Sequence, residues 1–252
     1  MQRFIFCFIC LALFSCNRHY YTSKIEGKRL EINYSVEADS TINAFIRPYR
    51  NHIDASLDNV LSYAPETYSK KDGDLNTAIG NLMADAVYAE SNPIFNKRYS
   101  KNIDFVLLNH GGIRSIISMG TVTKRTAFEV MPFENAVVVV ALKGSQIHKM
   151  IEYLSVAKRA HPISKQLQIT FNDSYKPLSV TLKGEAISNQ KTYYVATNDY
   201  LYNGGDKMDF FKSNEGVFIL DYKIRSVLID HFKKTDTLQA KIDQRFIRKQ
   251  VN

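Results

Sequence analysis

The sequence has few cysteines, and none lies beyond position 16. Cys7, Cys10 and Cys16 all fall in the first sixteen of the 252 residues. The remaining chain has no thiol, which excludes a disulfide framework and a cysteine-based metal site there. The C-x-x-C spacing of Cys7 and Cys10 lies inside an apolar run, where it does not indicate a redox or metal motif.

Clustered histidines and long basic runs are also lacking. The six histidines are scattered, without a D-x-H, N-H-E or H-x-H cluster. Two-metal hydrolytic centres need a dense set of oxygen and nitrogen ligands around ions about 4 Å apart. We therefore expect no metal ligands, no cofactor and no catalytic residues in this chain. The histidines are His19, His52, His110, His148, His161 and His231.

The charge balance favours anionic ligands without predicting a nucleic-acid surface. The formal net charge is +8, and a basic excess raises the local concentration of anions. No run of Lys and Arg is long enough to indicate nucleic-acid binding. A basic surface without a function is an interpretation that stays open. The sequence has no tryptophan but 15 Tyr and 15 Phe, enough apolar surface for one globular domain with a substantial core.

The N-terminus is typical of a bacterial lipoprotein. Arg3 precedes an apolar run over residues 4–14, which is too short to span a membrane comfortably and is typical of a secretory signal. Residues 1–15 end in Leu-Phe-Ser before Cys16, which resembles a lipobox with cleavage before Cys16 and lipid attached to it. An ordinary signal peptide and a simple membrane anchor are the alternatives. Lipidation predicts a protein of the cell envelope, facing the periplasm and anchored to the inner or outer membrane.

The following residues predict a tether and then one domain. Residues 16–38 are polar and irregular, with a short edge strand expected at 30–36, and the domain covers 39–252. Asp39 can cap a helix that Pro48 kinks or divides. In a second helix, capped by Asn76, an apolar stripe includes Ile79 and Leu82. Within it, Gly80 requires close packing or ligand approach. Asn81 either faces the binding site as a hydrogen-bonding residue or is an exposed polar residue in the first helical turn.

Strands alternate with helices along the rest of the chain. Strands are expected at residues 104–108, 137–142, 167–171, 178–183 and from 193. The stretch 137–142 is apolar and β-branched, which predicts a strand buried on both faces. Helices are expected from a capping box at Thr126-Ala127-Phe128-Glu129, from Gly144-Ser145, and over the last 30 residues. The pattern predicts a layered α/β (α+β) fold.

Glycine pairs follow two of the predicted strands. The first is Asn109-His110-Gly111-Gly112-Ile113-Arg114, and the second is Asn198-Asp199-Tyr200-Leu201-Tyr202-Asn203-Gly204-Gly205-Asp206. Glycine lets the backbone approach a ligand closely, and arginine offers a planar fork of donors. Between them lies Met131-Pro132-Phe133-Glu134-Asn135, a turn that carries a large aromatic ring. We interpret the three motifs as one site.

These motifs resemble the C-terminal domain of 5′-nucleotidases and bacterial UDP-sugar hydrolases. A fourth match, the stretch from Thr77 to Ala86, is similar to the first helix of that domain, and the resemblance covers about residues 40–220. It implies a four-layer α/β/β/α fold. His110 stands where the family usually has a third glycine; it either narrows the approach to the ligand or adds a ring there. We do not expect it to act as a base.

The resemblance also implies roles for individual residues. Phe133 and Tyr200 fall on positions that stack on both faces of a nucleotide base, although either ring taken alone is as easily part of the core. Arg114 would bind ribose or phosphate oxygens, and Asp206 would accept from ribose hydroxyls. The remaining binding residues implied by the family motifs are Asn81, Asn109, Gly111, Gly112, Asn135 and Gly205.

The family cleaves phosphate with a two-metal centre in an N-terminal domain. We therefore expect this chain to be the nucleotide-recognition half of a 5′-nucleotidase-type hydrolase, with a separate metallophosphatase chain that supplies divalent metals. One alternative is an independent nucleotide- or nucleoside-binding lipoprotein. A third is a degenerate domain kept for protein contacts.

Overall fold

The computed structural model describes residues 20–249, and the chain divides into two units at Pro48. Cys16 and the predicted signal peptide lie outside the described residues. In the first unit, residues 30–36 are exposed and form no strand, so the predicted edge strand is wrong. The Asn33 side chain accepts a hydrogen bond from the amide of Ser35 at 2.9 Å. Such a local turn competes with an extended strand that has no neighbour to pair with.

The first helix, α1, covers Ser40–Leu57. Asp39 caps it as predicted, because its carboxylate accepts from the amides of Thr41 and Ile42 at 2.8 and 2.9 Å. The helix is continuous across Pro48, so the expected division there is not seen. None of the helices described between residues 20 and 249 is both long and apolar enough to cross a bilayer.

The second unit contains the remaining helices and strands. The strands are β1 (Val60–Ala64), β2 (Phe105–Val106), β3 (Gly120–Thr123), β4 (Ala136–Lys143), β5 (Leu167–Phe171), β6 (Pro177–Leu182), β7 (Glu185–Ala186), β8 (Thr192–Asn198), β9 (Gly216–Lys223) and β10 (Phe246–Arg248). The helices are α2 (Ala78–Tyr99), α3 (Lys124–Val130), α4 (Gly144–Ala157), α5 (Asp199–Tyr202) and α6 (Ile224–Lys233).

A four-stranded sheet in the order β2-β8-β4-β9 forms the centre of this unit. Its middle strand β4 is buried from Val137 to Leu142, as its apolar run predicts. Alternate β4 residues face two different cores. Val139 packs with the helices α2 and α6, whereas Val140 packs with α4 and the second sheet, β10-β5-β6-β7. The mixed, layered arrangement of helices and sheets confirms the predicted α/β class.

Two predicted helix starts differ from the structure. Thr77, not Asn76, caps α2, and its hydroxyl accepts from the amide of Gly80 at 3.2 Å. The α3 capping box pairs Thr123 with Thr126, so the helix begins three residues before the predicted start. In both cases a neighbouring threonine, and not the predicted residue, occupies the cap position of the helix.

The C-terminal segment is helical only in part. Helix α6 ends at Lys233, and the chain then runs without helix to β10, which pairs in parallel with β5. Phe246 is fully buried there. The prediction of a helix over the last 30 residues is therefore wrong for the residues after Lys233 that the structure describes. Strand β10 has only three residues and pairs with a distant strand, so its sequence pattern is too short to detect.

Candidate functional site

The sheet brings the three predicted motifs to one edge. Strand β2 pairs with β8 in parallel, with Val106 opposite Ala196. Strand β4 pairs with β8 antiparallel, with Val137 opposite Asn198. The ends of β2 and β8 therefore lie beside the beginning of β4. The loops that carry Arg114, Phe133 and Tyr200 emerge from these three strand ends.

An open cleft of about 350 Å³ lies between the loops. Eight of the residues predicted from the sequence line it: Asn109, Gly111, Gly112, Arg114, Phe133, Asn135, Tyr200 and Asp206. The cleft combines two aromatic rings, two amides, a guanidinium and a carboxylate. Such a surface suits a flat ring joined to a polar group.

The two aromatic side chains are half exposed; Phe133 lies in the loop before β4, and Tyr200 lies in the short helix α5 after β8. Phe133 is 42% exposed and Tyr200 is 44% exposed. The guanidinium carbon of Arg114 lies 5.8 Å from the centroid of the Phe133 ring, within the range of a cation–π interaction. The Tyr200 hydroxyl donates to the carboxylate of Asp206 at 2.9 Å, which fixes the tip of the ring. Bonding to Asp206 also raises the pKa of the Tyr200 phenol.

Gly205 lies behind the Tyr200 ring. A Cβ at position 205 would come within 2.4 Å of Tyr200 Cε1, a distance that no real contact allows. The predicted role of Gly205 is therefore steric in this structure, because its missing side chain makes room for the ring. The neighbouring Gly204 has φ +92°, a conformation that favours glycine.

A carboxylate outside the predicted set joins two of the loops. Asp199 accepts from the Asn135 side-chain amide at 2.9 Å and from the backbone amide of Tyr200 at 2.8 Å. In a similar way, the Asn198 amide donates to Asn109 at 3.2 Å. Asp199 and Asn198 thus hold in place the two side-chain amides that line the cleft, those of Asn135 and Asn109. Their side-chain partners are remote in sequence, so no local pattern indicated them.

Arg225, which sequence reasoning missed, holds the loop of Phe133. It is 8% exposed and donates to the carbonyl oxygens of Pro132 and Phe133 at 3.0 and 3.5 Å. It also forms an ion pair with Glu134. Hydrogen bonds from Lys223 and then Arg225 lower the pKa of Glu134.

Lys70 adds positive charge beside the cleft. Its ammonium donates to the carbonyl of Ile113 at 2.7 Å, immediately before Arg114. Burial and then repulsion from Arg114 lower the pKa of Lys70. No sequence motif contains Lys70, and its position becomes evident only from the fold.

Asn81 does not belong to this cleft. Its side chain is buried and donates to the Asn76 side chain at 2.9 Å and to the Lys241 carbonyl at 2.8 Å. It lines a separate groove beside Asp85. Asn81 is therefore not an exposed residue, and it is not among the residues that line the cleft of Phe133 and Tyr200. Gly80 is close packed, because a Cβ there would lie 2.8 Å from the Thr77 hydroxyl.

His110 points to a neighbouring cleft. Its Nδ1 donates to the carbonyl of Ala160 at 3.2 Å, and burial lowers its pKa. It is absent from the residues that line the first cleft. Within residues 20–249, no three His, Cys, Asp or Glu side chains are grouped so that they could hold a metal ion.

Known proteins with similar sequences include a cell wall protein and a nucleotide phosphoesterase. Cell wall protein Lmo0130 of Listeria monocytogenes is 28% identical over 81% of this chain and 33% of its own length. Protein UshA of Escherichia coli is 24% identical over 86% of this chain and 39% of its own length. The trifunctional nucleotide phosphoesterase protein YfkN of Bacillus subtilis is 32% identical over 59% of this chain and 11% of its own length. The chain thus spans well under half of each of these relatives.

Solved structures with the same fold include two nucleotidases. A 5′-nucleotidase precursor from Thermus thermophilus matches with a TM-score of 0.68 and 22% identity, over 82% of this chain and 42% of that one. The Haemophilus influenzae NAD nucleotidase matches with a TM-score of 0.62 and 18% identity, over 85% and 42%. The model of the family described as "5′-nucleotidase, C-terminal domain" matches residues 56–213. The chain therefore belongs to the 5′-nucleotidase C-terminal domain family.

Proposed function

We propose that this domain recognises the base and ribose of a nucleotide for a phosphohydrolase of the 5′-nucleotidase type. The observation that carries the proposal is the cleft in which Phe133 and Tyr200, from two loops, lie with Arg114 and Asp206. Two half-exposed rings on separate loops suit the two faces of a planar heterocycle. A guanidinium and a carboxylate suit the oxygens and hydroxyls of the attached sugar.

The expected affinity is moderate. Stacking of a base on an aromatic side chain contributes roughly 1–3 kcal/mol, and a hydrogen bond to a charged group contributes about 1.5–3 kcal/mol. Two stacks and one such bond give roughly 4–9 kcal/mol before ordering costs, which corresponds to dissociation constants of about micromolar to millimolar. Such values suit a site that holds a substrate.

The chemistry of hydrolysis would come from a metallophosphatase on a separate chain, which would bring the divalent metals. The relative named a trifunctional nucleotide phosphoesterase supports phosphoester chemistry for the assembly. Phosphatase activity toward AMP is expected only when such a partner is added to this protein. If no metallophosphatase encoded beside this chain's gene gains activity from it, the two-chain arrangement is wrong.

Nucleotide binding can be tested without a partner, because the two rings, the guanidinium and the carboxylate of the proposed site all lie on this cleft. A second candidate function, that of an independent nucleotide- or nucleoside-binding protein, predicts the same binding. Calorimetry with adenosine and AMP is expected to show binding that Phe133→Ala and Tyr200→Ala each weaken at least tenfold. Tyr63→Ala is the matched control, since Tyr63 is 45% exposed and lines neither cleft. Equal affinities in the wild type and all three variants would show that this cleft is not the nucleotide-binding site.

We also propose that Cys16 is lipidated and that the protein lies in the bacterial envelope. The relative named a cell wall protein supports a location outside the cytoplasm. Metabolic labelling with a fatty-acid analogue is expected to mark the wild type and not Cys16→Ser. Label retained in Cys16→Ser would contradict lipidation at this residue.

A further inference from the structure

A second cleft, of about 440 Å³, adjoins the nucleotide cleft. Gly111 and Asp206 line both. The second cleft is completed by side chains that the proposed function does not use, among them His110, His161 and Tyr153. The segment that contains Gly111 and the segment that contains Asp206 therefore each border both clefts.

His161 supplies a buried polar atom without a partner. The residue is 3% exposed, and its Nε2 has no hydrogen-bond partner within residues 20–249. Its Nδ1 accepts from the amide of His110 at 3.4 Å, which leaves the ring proton on Nε2. A buried donor without an acceptor costs about 1–3 kcal/mol, and a polar group that entered the cleft and reached this nitrogen would remove that cost.

Two hydrogen-bond acceptors lie on the same cleft. Because His110 Nδ1 donates to Ala160, the second ring nitrogen of the neutral imidazole is an acceptor. Asp206 contributes a carboxylate, and its backbone carbonyl accepts from the Tyr153 hydroxyl at 2.8 Å. A group that both donates and accepts would satisfy this set, and a sugar hydroxyl is such a group.

The rim of the cleft is cationic. Arg159 and Lys207 both line it. Their side chains have no ion-pair or hydrogen-bond partner in the part of the chain that the structure describes. Two cations without carboxylate partners at the mouth of a cavity attract an anion, and a phosphate is the anion that arginine and lysine bind most often together.

We propose that the second cleft binds a phosphorylated sugar group, with its hydroxyls on His110, His161 and Asp206 and its phosphate on Arg159 and Lys207. This chemistry has two possible sources. One is a free sugar phosphate. The other is the far part of a ligand whose base lies in the first cleft, and this second form rests on the proposed function. Asp206, which lines both cavities, would contact both parts of such a ligand.

Calorimetry with ribose 5-phosphate tests the second cleft by itself. The wild type is expected to bind ribose 5-phosphate, and the double variant Arg159→Ala/Lys207→Ala is expected to bind it at least tenfold more weakly. The control is Lys149→Ala/Lys176→Ala, which removes the same charge from exposed positions outside both clefts. An absence of binding to the wild type, or an equal loss in both double variants, would overturn the proposal.

Adenosine and ADP-ribose separate the two proposals. Adenosine affinity should stay within about twofold in Arg159→Ala/Lys207→Ala and fall in Phe133→Ala, whereas ribose 5-phosphate should show the reverse. If adenosine does not bind the wild type, the proposed function fails while the second cleft stands on ribose 5-phosphate alone. ADP-ribose binding that both variants weaken supports one ligand across both clefts. ADP-ribose binding that only Phe133→Ala weakens supports a free sugar phosphate.

Discussion

The carboxylate of Asp199 accepts a hydrogen bond from the side-chain amide of Asn135 at 2.9 Å. This bond ties the loop that carries Phe133 to the helix that carries Tyr200. Asp199 does not itself line the cleft, yet it links the two segments that carry the aromatic rings. Positioning is therefore shared by residues that stand behind the cleft.

Replacement of Asp199 is expected to weaken adenosine binding. Asp199→Ala removes the acceptor for both Asn135 and the Tyr200 amide, and a hydrogen bond to a charged group contributes about 1.5 kcal/mol or more. Calorimetry should show a loss of about tenfold. Asp199→Asn, which keeps one acceptor oxygen, should recover most of the affinity, and Asp173→Ala at an exposed site should have no effect. Full affinity in Asp199→Ala would show that the loops are held by other contacts.

Gly205→Ala should act through Tyr200. The added Cβ would lie 2.4 Å from the Tyr200 ring, so the ring has to move and the stacking face is lost. Adenosine affinity should fall about as far as in Tyr200→Ala, with a circular dichroism spectrum like that of the wild type. Gly27→Ala is the control, because nothing lies within 4 Å of a Cβ there. A Gly205→Ala protein that binds like the wild type would disprove the steric role.

Arg225→Ala should lower the stability of the folded protein. It leaves the carbonyl of Pro132 and the carboxylate of Glu134 without their buried partner. The free energy of unfolding, measured in urea, should fall by about 1–3 kcal/mol. Arg225→Lys keeps the positive charge but loses the planar guanidinium with its several donors. Its stability should therefore lie between those of the wild type and Arg225→Ala. Lys149→Ala serves as an exposed control. Stability unchanged in Arg225→Ala would mean that the loop of Phe133 is held without it.

Local motifs indicated eight residues that line one cleft, because glycine pairs and strand ends are short-range features. Phe133, Tyr200, Arg114 and Asp206 each follow or precede a strand that the apolar pattern locates. Arg225 was missed because it reaches Phe133 across 92 positions, and nothing in its own segment marks it. Lys70 and Asp199 were missed for the same reason, because their partners lie 43 and 64 positions away and are brought close only by the fold.

Asn81 is the converse case, a residue that was predicted as a binding residue but does not line the cleft. Its place in the first turn of α2 predicted an accessible side chain, but the C-terminal segment covers it, and Lys241 lies 160 positions away. A helix pattern shows which face is apolar, not which later segment packs over its polar face. The order of the sheets depends in the same way on remote pairings, such as β10 with β5.

His161 should make stability depend on pH. Burial lowers its pKa to about 4 from 6.5, with attraction to Asp206 offsetting part of the effect. The unfolded chain then binds more protons than the folded one, so the contribution of His161 is complete above pH 6.5 and is lost as the pH falls toward 4. The loss amounts to about 3 kcal/mol.

Urea unfolding at several pH values checks this prediction. The slope of stability against pH between 6.5 and 4 should be smaller in His161→Gln than in the wild type, because the other titrating groups are common to both. His148→Gln, at an exposed position of α4, should keep the full slope. Identical slopes in all three proteins would show that His161 is protonated as readily in the folded state as in the unfolded chain.

Three strand ends that meet at one edge have a consequence for folding cooperativity. No loop can form its part of the cleft until β2, β8 and β4 have found their register, so a ligand that bridges the loops stabilises long-range pairing instead of one local segment. Bound adenosine should therefore slow hydrogen exchange most in the amides at the cleft end of these three strands. Occupancy of the cleft would then be recorded in the backbone pairing of the sheet, and not only in the side chains that touch the ligand.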